Sequence, residues 1–140
     1  MPAAELICDA SVVLKWFHSE GEEEVGESRA LLDLHRSGAV GLLVLDLTAY
    51  EVANALIRGM GVPSGAARAV LEALALVCPA VTPTPAELSD ALALAEGHDL
   101  TLYDAAYAAV ARGRGARLIT MDRRLLEAGL GIRPSAQAVG

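Results

Sequence analysis

Four carboxylates in this chain, Asp9, Glu51, Asp104 and Asp122, stand where strand-like runs end or helix-like runs begin. In an open parallel sheet, ligands bind beyond the carboxyl ends of the strands, where the following helices start. Asp9 closes the run ELICD over 5–9, and Asp122 follows the run RLIT over 117–120 by two residues. Glu51 lies in the first turn of a helix that directly follows GLLVL over 41–45. Asp104 also opens a helix, but no clear strand precedes it. Sequence logic therefore places three of the four on one rim. Carboxylates crowded together repel, and without a counter-ion some must take up protons. A hard divalent cation removes that conflict, and all-oxygen ligands favour Mg²⁺ or Mn²⁺ over zinc. Such a site lowers the pKa of a bound water and polarises a phosphoryl oxygen, which is the chemistry of phosphate-ester hydrolysis.

Each acid also has an ordinary explanation as a helix cap. Thr48-Ala-Tyr-Glu51 and Thr101-Leu-Tyr-Asp104 both match the capping box, while Asp9 and Asp122 match simple N-caps. Thr84-Pro-Ala-Glu87 is an equally good box with no other sign of chemistry, and so serves as an internal control. What separates the four acids from Glu87 is their shared rim.

Positioning such a rim requires alternating strands and helices. The strand runs are 5–9, 41–45, a short candidate around Val81, and 117–120, and the tail from Ile132 offers a last edge strand. Helices are predicted from near Ser11, over an acid-rich lead-in at 19–27 that ends near Ser37 with Gly38 as C-cap, and over 48–60, 64–77, 85–96, 101–112 and 123–128. That alternation implies a parallel sheet between helical layers.

The 140 residues suit a single domain, are 54% hydrophobic and contain no repeat or linker. Cys8 and Cys78 lie in apolar runs and are read as reduced core residues; with His18, His35 and His98 they form no metal-ligand spacing. No apolar run approaches the roughly 18 residues that cross a bilayer. The first residues lack the basic and apolar parts of a secretory signal, so a soluble cytoplasmic protein is expected. Net charge is −7, but residues 1–100 hold 15 acids and 5 bases whereas residues 101–140 hold 3 acids and 6 arginines. The acidic pI of about 4.8 is thus compatible with a local basic rim made by Lys15, Arg112, Arg114, Arg123 and Arg124, candidates for backbone phosphate contacts.

The segments Cys8–Val13 (CDASVV), Tyr50–Leu56 (YEVANAL), Leu102–Tyr107 (LYDAAY) and Leu118–Leu125 (LITMDRRL) resemble, in order, the four motifs of PIN-domain ribonucleases. The likeness runs from about residue 5 to 134, and a chain of this size is most similar to the VapC toxins of type II toxin–antitoxin modules. The resemblance implies a three-layer α/β/α domain with a short parallel sheet of about four or five strands, and Mg²⁺-dependent endonucleolytic cleavage of RNA, with Mn²⁺ able to substitute. It implies Asp9 and Asp104 as principal metal ligands, Glu51 and Asp122 as completing the pocket, and Ser11 and Thr120 as supporting hydroxyls. Asn54, three residues beyond Glu51 on the same helix face, is a further candidate partner for the acids. The resemblance also implies a homodimer and a cognate antitoxin. The apolar helix pair over 48–60 and 63–77 offers an interface, in keeping with a mean hydropathy of +0.41.

Two rival readings remain. One is a phosphatase or phospho-acceptor domain with Asp9 as covalent nucleophile. Against it, Asp9-Ala10-Ser11 lacks a second aspartate two residues on, and no lysine follows Lys15. The other is a catalytically silent PIN-like binding module, against which the complete set of four acids argues.

Overall fold

The computed structural model describes residues 3–18 and 23–139, with side chains described as far as residue 137. Part of the acid-rich lead-in at 19–27 lies outside the described residues. Four strands, β1 (Ala4–Cys8), β2 (Val40–Leu45), β3 (Ala80–Val81) and β4 (Arg117–Ile119), pair in parallel in the order β3-β2-β1-β4. The connection leaving β1 goes to one side, to β2, while β4 arrives on the other. Beyond the carboxyl ends of β1 and β4 there is therefore a crevice of the kind in which α/β sheets bind ligands.

Strand periodicity divides the core in two. Leu6 and Cys8 of β1, Val40, Leu42 and Val44 of β2, and Ile119 of β4 face one layer; Ile7, Leu43, Leu45 and Leu118 face the other. This is the period-two alternation of a strand covered on both faces. The first layer contains α1 (Ala10–Phe17), α2 (Val25–Ser37), α3 (Asp46–Asn54) and α4 (Ser64–Val77), and the second contains α5 (Pro85–His98) and α6 (Leu102–Arg114). α6 buries Ala105 through Ala111 without a break. Its alanines and single valine let it lie close on the sheet, where longer side chains would hold it off. The three-layer α/β/α architecture expected from the sequence is the one observed, with four strands.

Several boundaries differ from the expected ones. α3 starts at Asp46, two residues before Thr48, and its last turn, Ala55–Gly59, widens into a π-helix. α5 runs through Gly97 to His98, and α6 runs through Gly113 to Arg114, where Gly115 at φ 66° closes it. α2 ends as expected on Gly38, at φ 81°. Glycine inside a helix costs about 1 kcal/mol, which packing on the sheet outweighs. The tail is not an edge strand. Ile132 makes one parallel bridge to Ile119, after which Pro134 opens a helix, α8 (Pro134–Val139). Proline has no N–H with which to extend the ladder. Ser135 N and Arg133 then dock onto the Glu24 carboxylate at 2.7 and 3.2 Å, fixing α8 against α2.

After α7 (Arg123–Glu127), the chain passes close beneath β4 at Gly131. A Cβ there would stand 2.7 Å from Thr120 Cγ2 and 3.2 Å from Leu118 O. Thr120 is fully buried and its hydroxyl is committed to hydrogen bonds, so it has no room to rotate away. Gly131→Ala is expected to lower stability by about 1–3 kcal/mol, measured as a lower urea midpoint at unchanged m-value.

Candidate active site

Asp9, at the end of β1, is 5% exposed and caps α1. Its Oδ1 accepts from Ser11 N (3.1 Å), Val12 N (3.4 Å) and Ser11 Oγ (2.5 Å), and its Oδ2 accepts from Thr120 Oγ1. Both hydroxyls also accept backbone N–H groups from the turn after β4. Met121 N donates to Ser11 Oγ at 2.9 Å, and Asp122 N donates to Thr120 Oγ1 at 2.9 Å. Ser11 and Thr120 thus tie the turn that carries Asp122 to Asp9. Asp122 itself caps α7, its Oδ1 accepting from Leu125 N at 3.1 Å.

Glu51 is reached by a second relay. Leu45 N donates to Thr48 Oγ1 (3.0 Å), which pairs with Tyr107 Oη (2.7 Å), which donates to Glu51 Oε1 (2.6 Å). Each hydroxyl has one proton, so the polarity runs from the Leu45 amide toward the Glu51 carboxylate, and such chains strengthen cooperatively. Tyr107 is buried on α6, three residues after Asp104. The relay therefore joins α3 to α6 and presents both acids to one space.

The Thr48 motif is consequently not a capping box of the expected kind. Thr48 is inside α3, and the Glu51 carboxylate binds a tyrosine rather than a backbone N–H. Thr101 does cap α6, accepting from Asp104 N at 3.1 Å, without a reciprocal bond from the Asp104 carboxylate. Thr84 and Glu87 form the complete box, at 2.8 and 3.1 Å. The control acid is thus consumed by its cap, whereas Asp104 and Glu51 remain turned to the crevice.

Asp9, Ala10, Ser11, Glu51, Asp104, Tyr107 and Asp122 line one cavity of about 150 Å³. A larger cleft of about 520 Å³ lies elsewhere, between the far half of α6, β4 and Gly129–Ile132, and none of these acids lines it. Burial pushes the Asp9 carboxyl up to about 6, with nearby Asp122 adding to the rise and the Ser11, Thr120 and Val12 hydrogen bonds opposing it. Glu51 is also raised, by burial and by Asp104, against the Tyr107 hydrogen bond. Asp104 is raised by burial and Asp122, against Thr101 and Arg124. Burial and the neighbouring Glu51 keep Tyr107 a proton donor.

Among the described residues, no three acid, histidine or cysteine side chains are drawn together as a closed metal cage. The four acids instead surround a space large enough for several waters, at roughly 30 Å³ each. That arrangement fits an ion that keeps much of its hydration and takes only one or two carboxylates directly, as Mg²⁺ does. The all-oxygen lining and the mutual raising of the carboxyl groups both favour a hard cation.

Asn54 is exposed and turned away from this cavity, lining a neighbouring cleft beside Glu51 instead of hydrogen-bonding to the acids. Of the basic residues singled out in the sequence, Arg124 lies beside Asp104 and donates to Asp99 O at 3.4 Å. Arg123 is exposed and pairs with Glu127 at 2.9 Å. Lys15 is buried, 4% exposed, and so is not a surface phosphate ligand. Arg112 and Arg114 lie roughly 12 and 15 Å along α6 from Asp104, at about 1.5 Å per residue, too far to touch a phosphate held by the acids. Arg114 instead grips Glu5 with two bonds, at 3.2 and 3.0 Å. Tyr107 and Thr48 are the site residues that sequence reasoning passed over. A tyrosine one turn after an acid, within the run of small residues on the buried side of an alanine-rich helix, was the signal for Tyr107.

A family profile described as PIN domain matches residues 6–130. Ribonuclease VapC3 of Pyrobaculum aerophilum is 39% identical over 128 residues, covering 88% of this chain and 93% of that protein. A crystal structure of PAE2754 from Pyrobaculum aerophilum matches with a TM-score of 0.70 at 27% identity, covering 99% of this chain and 91% of that one. Mycobacterium tuberculosis VapC20, described as a sarcin-ricin loop cleaving toxin, matches with a TM-score of 0.68 at 22% identity, covering 89% and 95% of the two chains, a likeness of fold.

Between pH 3.8 and about 6 the native chain holds a proton on Asp9 that the unfolded chain has lost. Stability is then greatest below the lower value and falls as pH rises through the upper one, by up to about 3 kcal/mol from this group. In EDTA the melting temperature is expected to fall between pH 4 and 7, with Mg²⁺ restoring it at pH 7 but not at pH 4. In Asp9→Asn that slope flattens. Tyr107→Phe, which breaks the relay to Glu51, is expected to cost about 1–2 kcal/mol in urea denaturation.

Proposed function

This chain belongs to the PIN-domain family, and from that premise we propose that it is a Mg²⁺-dependent endoribonuclease, the toxin of a toxin–antitoxin pair. The observation that carries the reading is the convergence of Asp9, Glu51, Asp104 and Asp122 on one cavity. Its kinship with Ribonuclease VapC3, at 39% identity over nearly the full length of both chains, supports RNA as the substrate class.

In this reading Asp9, Asp104 and Asp122 hold the cation, for which Mn²⁺ can substitute. When bound, the ion lowers the pKa of a water and neutralises charge on the phosphoryl oxygens. Glu51, more basic than an ordinary glutamate because it is partly buried, is aimed by Tyr107 and takes the proton of the attacking water. In-line attack on the phosphodiester leaves a 5′-phosphate and a 3′-hydroxyl. Ser11 and Thr120 hold Asp9 and the Asp122 turn in register. Arg124 is the basic residue best placed to meet the RNA backbone. A phospho-acceptor role for Asp9 finds less support, since Asp9-Ala10-Ser11 lacks a second aspartate two residues on and no lysine follows Lys15.

The whole chain is read as one nuclease unit with its core at 5–134. The exposed Ile57, Met60 and Leu76 on the π-turn and α4 supply apolar surface for a homodimer or for the antitoxin. No helix among the described residues is long and apolar enough to cross a membrane, and a cytoplasmic location is part of the proposal.

The test is cleavage of a panel of structured and single-stranded RNAs with Mg²⁺, Mn²⁺ or EDTA. Asp9→Asn and Asp104→Asn are each expected to lower kcat by about 100-fold or more, and EDTA to abolish cleavage. Activity indifferent to both substitutions and to EDTA would sink the reading. Growth arrest on expression, absent from the two variants, tests the toxin role.

A further inference from the structure

The chain has only five aromatic residues, three of them tyrosines. Tyr107 is buried in the relay; the other two, Tyr50 and Tyr103, are 81% and 64% exposed. Each immediately precedes a pocket acid, Tyr50 before Glu51 and Tyr103 before Asp104, on the two helices that the Thr48–Tyr107–Glu51 bonds hold together. Both line one cleft of about 400 Å³ with Leu47, Glu51 and Asn54. That volume is in the range of small-ligand pockets, which combine apolar and aromatic walls with a few polar groups. The cleft shares Glu51 with the acid cavity, so whatever occupies it is adjacent to the reacting phosphate.

We propose that the Tyr50–Tyr103 cleft is a nucleobase-binding slot, which stacks the base of a nucleotide flanking the scissile phosphate and uses Asn54 to read that base's edge. The inference rests on the ribonuclease reading. Charge decides which part of the RNA enters. Among the described residues the cleft is lined by a carboxylate and by no cationic side chain, so it disfavours phosphate and suits an uncharged, flat group. Exposed tyrosines offer π-faces at low conformational cost, and stacking on such platforms is a main source of affinity for single strands. Asn54 has an amide donor and acceptor that match a base edge, which accounts for its turning away from the acids.

The test uses the full chain with Mg²⁺ and a short single-stranded RNA that it cleaves, prepared also with an abasic nucleotide walked across the cleavage point. Tyr50→Leu and Tyr103→Leu keep the apolar bulk but remove the π-face. Each is expected to raise KM roughly 10-fold with kcat within about twofold, and Tyr103→Phe to recover most of the loss. Removing the stacked base should cost the wild type at least as much as either leucine substitution does, and should cost Tyr103→Leu less than it costs the wild type. Unchanged KM in both leucine variants, with metal-dependent cleavage intact, overturns the slot while leaving the ribonuclease reading standing. Unchanged KM accompanied by a shift in sedimentation or in binding of a protein partner makes the surface a protein interface and equally overturns it. Wild-type chain that cleaves no RNA removes the ribonuclease reading, and the slot with it.

Discussion

The burial of Asp9 at the end of the central strand is the constraint on which the rest of the structure depends. A carboxylate in that position is costly unless its lone pairs are occupied. The chain meets the cost with two backbone amides of α1 and two hydroxyls, Ser11 and Thr120, drawn from opposite ends of the sequence. Because those hydroxyls also accept Met121 N and Asp122 N, one carboxylate sets the register between the first and last strands and aims the turn that bears a second acid. The close passage of Gly131 against Thr120 is part of the same junction.

The opposite wall follows the same logic with different parts. Thr48 and Tyr107 carry a backbone amide's polarity across the interface between α3 and α6 to Glu51. Hydrogen bonds lower the acids' pKa values only in part; burial and mutual repulsion raise three of them. The result is a hydrogen-bonded scaffold around crowded carboxyl groups, which suits the cation and the anionic substrate proposed for the site. It also reconciles an overall charge of −7 with a phosphate-handling role, since the field at the reacting atoms is set locally.

Much of the fold was legible because strands covered on both faces read as short apolar runs, and helix ends are marked by Thr84, Thr101 and Gly38. Legibility failed where tertiary contacts overrode local signals. Glu51, Asp104 and Glu87 occupy the same place in nearly identical Thr-x-x-acid motifs, yet only Glu87 caps its helix through its carboxylate. Pattern alone does not distinguish them, because the competing partner of Glu51 is a tyrosine 56 residues away. The basic residues divide likewise: Arg124 lies beside the acids, while Lys15 is buried and Arg114 is committed to Glu5 at the far edge.

The sequence by itself determined the alternation of strands and helices, Asp9, Asp104 and Asp122 at element ends and the order of the motifs, because these depend on local periodicity and on residue type; Glu51, read as lying in a first turn, is the sixth residue of α3. Only the tertiary structure decided that Asp104, with no strand to announce it, joins the other three. It also decided that Tyr107 and Thr48 aim Glu51, that Asn54 turns to a neighbouring cleft, and that two tyrosines stand exposed beside the site. Those outcomes depend on how α3 and α6 pack across the sheet, and packing is settled by contacts between residues far apart in the chain.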